Sequence, residues 1–385
     1  MIIGIDATNL GGGGGVTHLK EILASLINDF PLLNNDHKII VFSSTKVLQK
    51  LPDSLQIEKL TFPELNRNLL YRVLFQLFRY DQEIVKRCDI LFSITGDYIG
   101  HFKPVVSMSQ NMLLYERTIW REIKYPKEII RFWLNYQKQK RSFKNSDGII
   151  FISKYAHAAV SKQINLTGKK IVIIHHGVSD RFRGKLQSQN PISDYSDLKP
   201  FRLLYVSTVH VYKHQWNIVN AVGNLHKKGY PVELFLVGGI IFKPAGDRLI
   251  KVINRIDPEG SYIKFLDHIQ YEEISEYYKN TDGIVFASTC ENMPNILIES
   301  MSSGRPIACS DKQPMPEFLK ENGFYFNSYN VNSIESAIEK LIMNPSIREK
   351  MAKNNLSESM KYSWRKTTIE TLNFIKNIYK DYYHV

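Results

Sequence analysis

The stretch "GIVFASTCENMPNILIESMSSGRPIACSD", residues 283–311, sets a short apolar run, a polar loop, a helical pattern and a second apolar run side by side. Residues 283–287 read as a buried strand and 288–293 as the loop leaving its carboxyl end. Pro294 reads as the first helical position, where its missing N–H removes no bond. The pattern runs through "NILIESMSS" and stops at Gly304, with Pro306 barring continuation. Glu291 then sits in the loop just before a helix N-terminus, where backbone N–H groups and a partial positive charge favour phosphate or hydroxyl ligands. Glu299 lies inside the helix beside Ile298 and Met301, and a carboxylate so placed near a cleft is a bidentate acceptor for the two hydroxyls of a ribose. Each glutamate has a plainer reading, Glu291 as a helix cap and Glu299 as an exposed side chain. The strand, the turn and the Gly-x-Pro ending around them count against it.

The same alternation fills the chain. Strand candidates in the first half are 2–5, 38–42, 90–92, 105–108, 148–152 and 170–174, and a second series follows at 202–206, 232–237, 262–265, 283–286 and 306–309. Strands alternating with helical patterns imply parallel sheets covered on both faces. Between the series, "DRFRGKLQSQNPISDYSDLKP" is polar and without periodicity. The expected fold is therefore α/β, with two Rossmann-like, doubly wound domains, 1–180 and 201–363, joined by a linker at 181–200. Two such domains face each other across a cleft at the carboxyl ends of their strands, where open α/β sheets bind ligands. Residues 364–383 space Ile369, Leu372, Ile375 and Tyr379 helically, and the first domain is one place where that face can pack.

Composition bounds the function classes. At 385 residues the chain suits two cores, and 43% hydrophobic with 23% charged residues is ordinary for soluble globular protein. Three cysteines without a Cys-x-x-Cys pair, and no histidine cluster at ligand spacing, argue against a disulfide framework or zinc site and fit a reducing cytoplasm. No export signal is visible and no apolar run approaches a membrane span. The net charge of +12 is uneven, with 24 Lys/Arg against 16 Asp/Glu in residues 1–180. Residues 115–144 carry nine basic and three acidic residues interleaved with Trp120, Phe132 and Trp133. That composition suits an interfacial helix against anionic lipid, and equally a solvated basic face over a buried apolar stripe. No recognition motif accompanies the charge, so nucleic acid is not an expected partner.

The Glu-x7-Glu segment "FASTCENMPNILIESMSSGRPIACSD" resembles the signature of retaining glycosyltransferases of family 4, in the glycosyl transferases group 1 superfamily, which share the two-domain GT-B fold. "LLYVSTVHVYKHQWNIVNAV" resembles that family's phosphate-binding segment and "FLVGG" its following strand. "KFLDHIQYEEISEYYKNTDGIVFAS" and "PMPEFL" resemble the stretches flanking the signature. Over the first half the likeness rests on the glycine-rich turn, "SMSQNMLLYE" and "HHGVSDRF".

The resemblance implies roles. Glu291 would contact the hydroxyls of a donor sugar and support positive charge developing at the anomeric carbon, and Glu299 would hold the nucleotide ribose. Backbone N–H groups of Asn292, Met293 and Asn295 would approach the sugar. Lys213 matches the lysine that neutralises the donor diphosphate, and with Glu291 it makes the expected catalytic pair. Thr208 stands where many relatives have an arginine, leaving His210, His214 or the Thr208 hydroxyl to substitute. Gln110 and Asn111 stand where many relatives have a His-Asp pair; amides are not general bases, so they are expected to line the cleft and orient donor or acceptor. Gly14 and Gly15, in a turn opening a helix, can let backbone N–H groups meet phosphate.

No Asp-x-Asp occurs, so no metal or other cofactor is expected, and charge neutralisation falls to Lys213, helix N-termini and backbone amides. The expected enzyme is a metal-independent, retaining hexosyltransferase. Its donor is a nucleotide sugar and its acceptor a growing bacterial surface glycan of O-antigen or capsule type on a lipid carrier. It would work in the cytoplasm or peripherally on the inner face of the membrane. A nucleotide-sugar 2-epimerase of the same architecture is the alternative, predicting cleft carboxylates and histidines that Gln110 and Asn111 do not supply. A nicotinamide-dependent dehydrogenase needs an acidic residue ending the second strand, where Ser43 and Ser44 stand. A silent sugar-binding protein is disfavoured by both glutamates.

Overall fold

The computed structural model describes residues 1–11, 14–29 and 38–385. Gly12 and Gly13 of the glycine-rich turn lie outside the described residues. Two compact units emerge, one of Met1–Trp120, Lys124–Gly177 and Ser363–Val385, the other of Arg121–Ile123 and Val178–Tyr362.

Among the described residues the first unit holds seven strands: β1 (Ile2–Asp6), β2 (Lys38–Phe42), β3 (Ile57–Leu60), β4 (Ile90–Ser93), β5 (Val105–Ser109), β6 (Gly148–Phe151) and β7 (Lys170–Ile173). They pair in parallel in the order β3-β2-β1-β4-β5-β6-β7. The second unit holds β8 (Phe201–Val206), β9 (Val232–Val237), β10 (Ile263–Leu266), β11 (Gly283–Phe286), β12 (Ile307–Ser310) and β13 (Phe324–Phe326), again parallel, in the order β10-β9-β8-β11-β12-β13. Central strands are buried along their length, as β4, β6, β11 and β12 are at every residue, which explains their continuous apolar runs. In each sheet the order reverses beside the first strand, between β1 and β4 and between β8 and β11. A reversal parts the connections to opposite faces and opens a crevice at the strands' carboxyl ends.

Two strands escape a reading by apolar runs. β3 is four residues long with three of them half-buried, and β13 has three residues, so neither builds a run to detect. Other ends shift by a residue: β10 and β12 start at Ile263 and Ile307, and β6 and β7 stop at Phe151 and Ile173.

The Trp364–Tyr383 helix belongs to the first unit. It lies directly on β6, where a Cβ on Gly148 would come within 2.9 Å of Phe374 and Ile378. Trp364 closes over two imidazoles, His18 and His176, tilted by 55° with ring centres 4.1 Å apart. Residues 180–200, without periodicity in sequence, are part of the second unit. There the Gly184 N–H donates to the Ser302 carbonyl at 2.9 Å and Arg305 donates to the Lys185 carbonyl at 3.1 Å. The fully buried Arg348 donates to the carbonyl of Asn190.

Candidate functional site

In the second unit two neighbouring loops build the site. After β8 the chain passes Thr208, makes a 3-10 turn over Val211–Lys213, and enters the Gln215–Lys227 helix through His214 at φ 51°. That left-handed turn at a non-glycine residue is uncommon, and it redirects the chain sharply between the two helical pieces. After β11 the chain passes Thr289, Glu291 and Asn292 and enters the Asn295–Ser302 helix. Pro294 is the residue before this helix, not its first: at ψ 82° its backbone is still outside helical geometry. β8 and β11 pair directly, so the two loops emerge side by side at the reversal of strand order.

The loops are tied together. The Thr289 N–H donates to the Tyr212 carbonyl at 2.9 Å, and the Thr289 hydroxyl meets His214 Nε2 at 3.1 Å. The Tyr205 hydroxyl donates to the Lys213 carbonyl at 2.7 Å. This brings the Lys213 ammonium onto the Glu291 carboxylate, the ammonium also resting above the rings of Tyr212 and Phe286 at 5.1 and 5.6 Å. Side-chain exposure is 7% for Lys213 and 17% for Glu291, so the pair is largely withdrawn from water yet open on the glutamate side. Burial, then the Glu291 charge, holds the Tyr212 and Tyr205 phenols well above their usual range, so both stay protonated donors. Burial, then Arg248, pushes the His214 imidazole down to about 4, so it is neutral near pH 7.

One turn into the helix, Glu299 is 8% exposed and accepts a hydrogen bond from the Tyr271 hydroxyl at 3.2 Å. Tyr271 packs edge-on against Phe182 at 5.3 Å and lies under Arg181 at 5.2 Å. Glu299 is thus a buried, oriented acceptor rather than an exposed side chain. Tyr271, Tyr212 and Thr289 are the residues that sequence reasoning missed. The signal for Tyr271 is weak, a tyrosine next to the loop after β10, and for the other two it is their adjacency to Lys213 and Glu291.

The remaining residues fall differently. Thr208 is exposed, its carbonyl accepting from the Gln215 side chain at 3.0 Å. The Asn295 N–H donates to the Met293 carbonyl at 3.0 Å. Beside Thr208, Gly238 has φ 136°, and a Cβ there would stand 2.4 Å from the Ser207 carbonyl oxygen, so glycine alone lets β9 end this close to the β8 loop. Gly14, Gly15, Gln110 and Asn111 belong to the first unit. Gly14 and Gly15 begin its first helix, and a Cβ on Gly15 would lie 3.3 Å from the Gln110 amide oxygen. The Asn111 side-chain oxygen accepts from the Leu113 N–H at 3.0 Å, capping a 3-10 turn.

Chemically, the second unit presents a cation and a carboxylate in contact at the end of two strands, followed by a helix N-terminus and a second, oriented carboxylate. A cation beside a helix N-terminus suits an anionic group such as a diphosphate, and an oriented carboxylate suits a pair of vicinal hydroxyls.

Residues 190–357 match the profile of the glycosyl transferases group 1. The chain is 22% identical over 257 residues to the O-antigen chain mannosyltransferase B of Escherichia coli, covering 66% of each. It is 29% identical over 114 residues to the sulfoquinovosyl transferase of Arabidopsis thaliana, covering 28% of this chain and 22% of that one. The chain thus spans less than two thirds of the length of these curated relatives. Its fold is similar to that of Anabaena HepE, crystallised with UDP and glucose, at a TM-score of 0.71 and 17% identity over 98% of this chain and 100% of that one.

Proposed function

We propose, from the premise that the chain belongs to the glycosyl transferases group 1 family and has its GT-B fold, that it is a retaining glycosyltransferase using a nucleotide-sugar donor. The observation that carries the reading is the Lys213–Glu291 contact at the reversal of strand order, with Glu299 held by Tyr271 one turn into the next helix. The HepE neighbour holds UDP and glucose, which supports a nucleoside diphosphate as the group these residues bind.

In this reading the second unit takes the donor and the first takes the acceptor, with Gln110 and Asn111 lining the acceptor side and the backbone N–H groups of Gly14 and Gly15 assigned to the donor phosphate. Lys213 releases part of its contact with Glu291 to neutralise the diphosphate, joined by the Thr208 hydroxyl, while backbone N–H groups of the 292–293 turn approach the sugar. Glu299 accepts from the two ribose hydroxyls. Glu291 turns to the sugar hydroxyls and stabilises the charge that develops at the anomeric carbon. The bond from that carbon to the phosphate oxygen breaks with its electron pair staying on oxygen. The acceptor oxygen bonds to the same face, and its proton passes to the leaving phosphate, so no protein base is needed. Stabilising that charge in a preorganised, largely water-free site is the main catalytic effect. The acceptor is a growing bacterial surface glycan on a lipid carrier, a reading supported by the O-antigen mannosyltransferase relative and by the basic, aromatic 115–144 segment.

The test is thermal shift with UDP, GDP, dTDP and ADP in EDTA, on wild type and Glu299→Gln. A ligand at about 100 times its dissociation constant stabilises by roughly 2.7 kcal/mol, readily seen in Tm. One diphosphate shifting wild type and not the variant supports the reading. No response to any of them, or an equal response from the variant, overturns the assignment.

A further inference from the structure

The Leu69–Phe78 helix of the first unit is built the wrong way round for a soluble surface. Its inward face carries Phe75 and a buried glutamine, Gln76, while Leu70, Leu74 and Leu77, spaced as one helical stripe, point to solvent. Phe78, next to that stripe, is 70% exposed. The Pro126–Asn145 helix repeats the pattern, with Ile130 and Leu134 exposed beside Trp133, itself 52% exposed. The two helices adjoin: Lys138 of the second donates to the Gln76 side chain of the first at 3.2 Å. A neighbouring pair of exposed apolar stripes is more than scattered surface leucines and marks a face that something covers.

Charge says what covers it. Residues 67–79 and 126–145 contain nine basic residues and one acidic one, Glu128. Arg79, Arg131 and Lys138 are engaged by Glu64, Glu128 and Asp97, and Arg67 lies over Tyr71, which still leaves a positive excess around the apolar stripes. A second copy of this chain would bring the same cations against themselves, whereas an anionic lipid surface accepts both the apolar side chains and the charge. Tryptophan and phenylalanine at the rim suit the headgroup level.

We propose that these two helices dock the first unit on an anionic bilayer, inserting Leu74, Leu77, Phe78 and Trp133 to the depth of the headgroups. The inference deepens the functional reading and rests on its lipid-carried acceptor. It also names what the docking orients. Gln76 donates to the Thr8 hydroxyl at 2.8 Å and meets Asn9 at 3.2 Å, and Lys138 meets Asp97 at 3.3 Å. Thr8 and Asn9 follow β1 and Asp97 follows β4, so the docked helices are bonded to the loops at the crevice of this unit's own sheet. That holds the crevice one helix diameter, roughly 10 Å, from the headgroups, within reach of the polar end of an amphiphile.

The experiment is co-sedimentation with mixed phosphatidylglycerol and phosphatidylcholine vesicles, against phosphatidylcholine alone, for wild type, Leu77→Ser/Phe78→Ser and, as a surface control, Leu198→Ser. Wild type and the control are expected to pellet with the mixed vesicles, and the double variant to bind about tenfold more weakly. Trp133 should blue-shift on binding, a change that Trp133→Phe removes. Failure of wild type to bind, or equal binding by the double variant, overturns the proposal. So does a wild-type dimer in sedimentation that the double variant converts to monomer, which assigns the face to a second copy. The nucleotide melting shift, measured on the same preparations, separates the two readings: vesicle binding without it sinks the transferase alone, and the shift without vesicle binding sinks the docking alone.

Discussion

Replacing Lys213 by methionine removes a charge while keeping an apolar stem over Tyr212 and Phe286. Glu291 would then be 17% exposed and without its ammonium. Breaking a buried pair by removing one partner costs about 3–5 kcal/mol, and the residual water at Glu291 points to the lower end, about 3 kcal/mol. For a unit of this size each kcal/mol moves Tm by roughly 2–4 °C, so Lys213→Met should melt about 6–12 °C below wild type. Glu291→Gln should fall in the same direction. The double variant buries no uncompensated charge, so its loss should be smaller than the sum of the singles by about 2 kcal/mol. Calorimetry reads all four proteins, with transitions resolved separately because a chain of two units need not unfold as one. A Lys213→Met protein melting within about 1 °C of wild type, or strict additivity in the double, would refute the claim that this pair joins the loops after β8 and β11.

Three further outcomes follow from the same geometry. Thr208→Arg places a guanidinium at an exposed position beside the β8 loop and should tighten binding of the responding nucleoside diphosphate by about tenfold, read by calorimetric titration. His214, held down at about 4, contributes stability that is complete above about pH 6.5 and is lost as pH falls toward 4. His214→Asn tolerates the left-handed backbone, so the wild-type advantage over it should shrink by about 3 kcal/mol across that window in urea titrations, and a constant difference would count against a buried neutral imidazole. Gly148→Ala pushes a methyl into Phe374 and Ile378 and should destabilise the first unit by about 1–3 kcal/mol, with hydrogen exchange quickening in the Trp364–Tyr383 helix.

The sheets were legible because central parallel strands are buried on both faces, so β4, β6 and β11 each leave a run that no solvent face interrupts. β13 is only three residues long and β3 carries Glu58 and Lys59 among four, so neither leaves an apolar run to read. The positions of Lys213 and Glu291 followed from strand-loop-helix punctuation, but their contact did not. It depends on β8 and β11 being neighbours, and that pairing joins segments about eighty residues apart. Tyr271 was invisible for a related reason: its partner Glu299 lies beyond an intervening strand. The exposed stripe of the Leu69–Phe78 helix was hidden because periodicity reports that a helix has an apolar face without reporting which way it turns.

The first unit is assembled from both ends of the chain, and synthesis runs in one direction. When the ribosome has made residue 362, the second unit has all its segments, including Arg121–Ile123, while the first still lacks the helix that covers β6 and closes over His18 and His176. The half with the basic, apolar helices is therefore the last to become a finished domain, although most of it is made first. For that interval its uncovered sheet face is what chaperones would meet, and the docking helices are presented by a unit that has not yet closed.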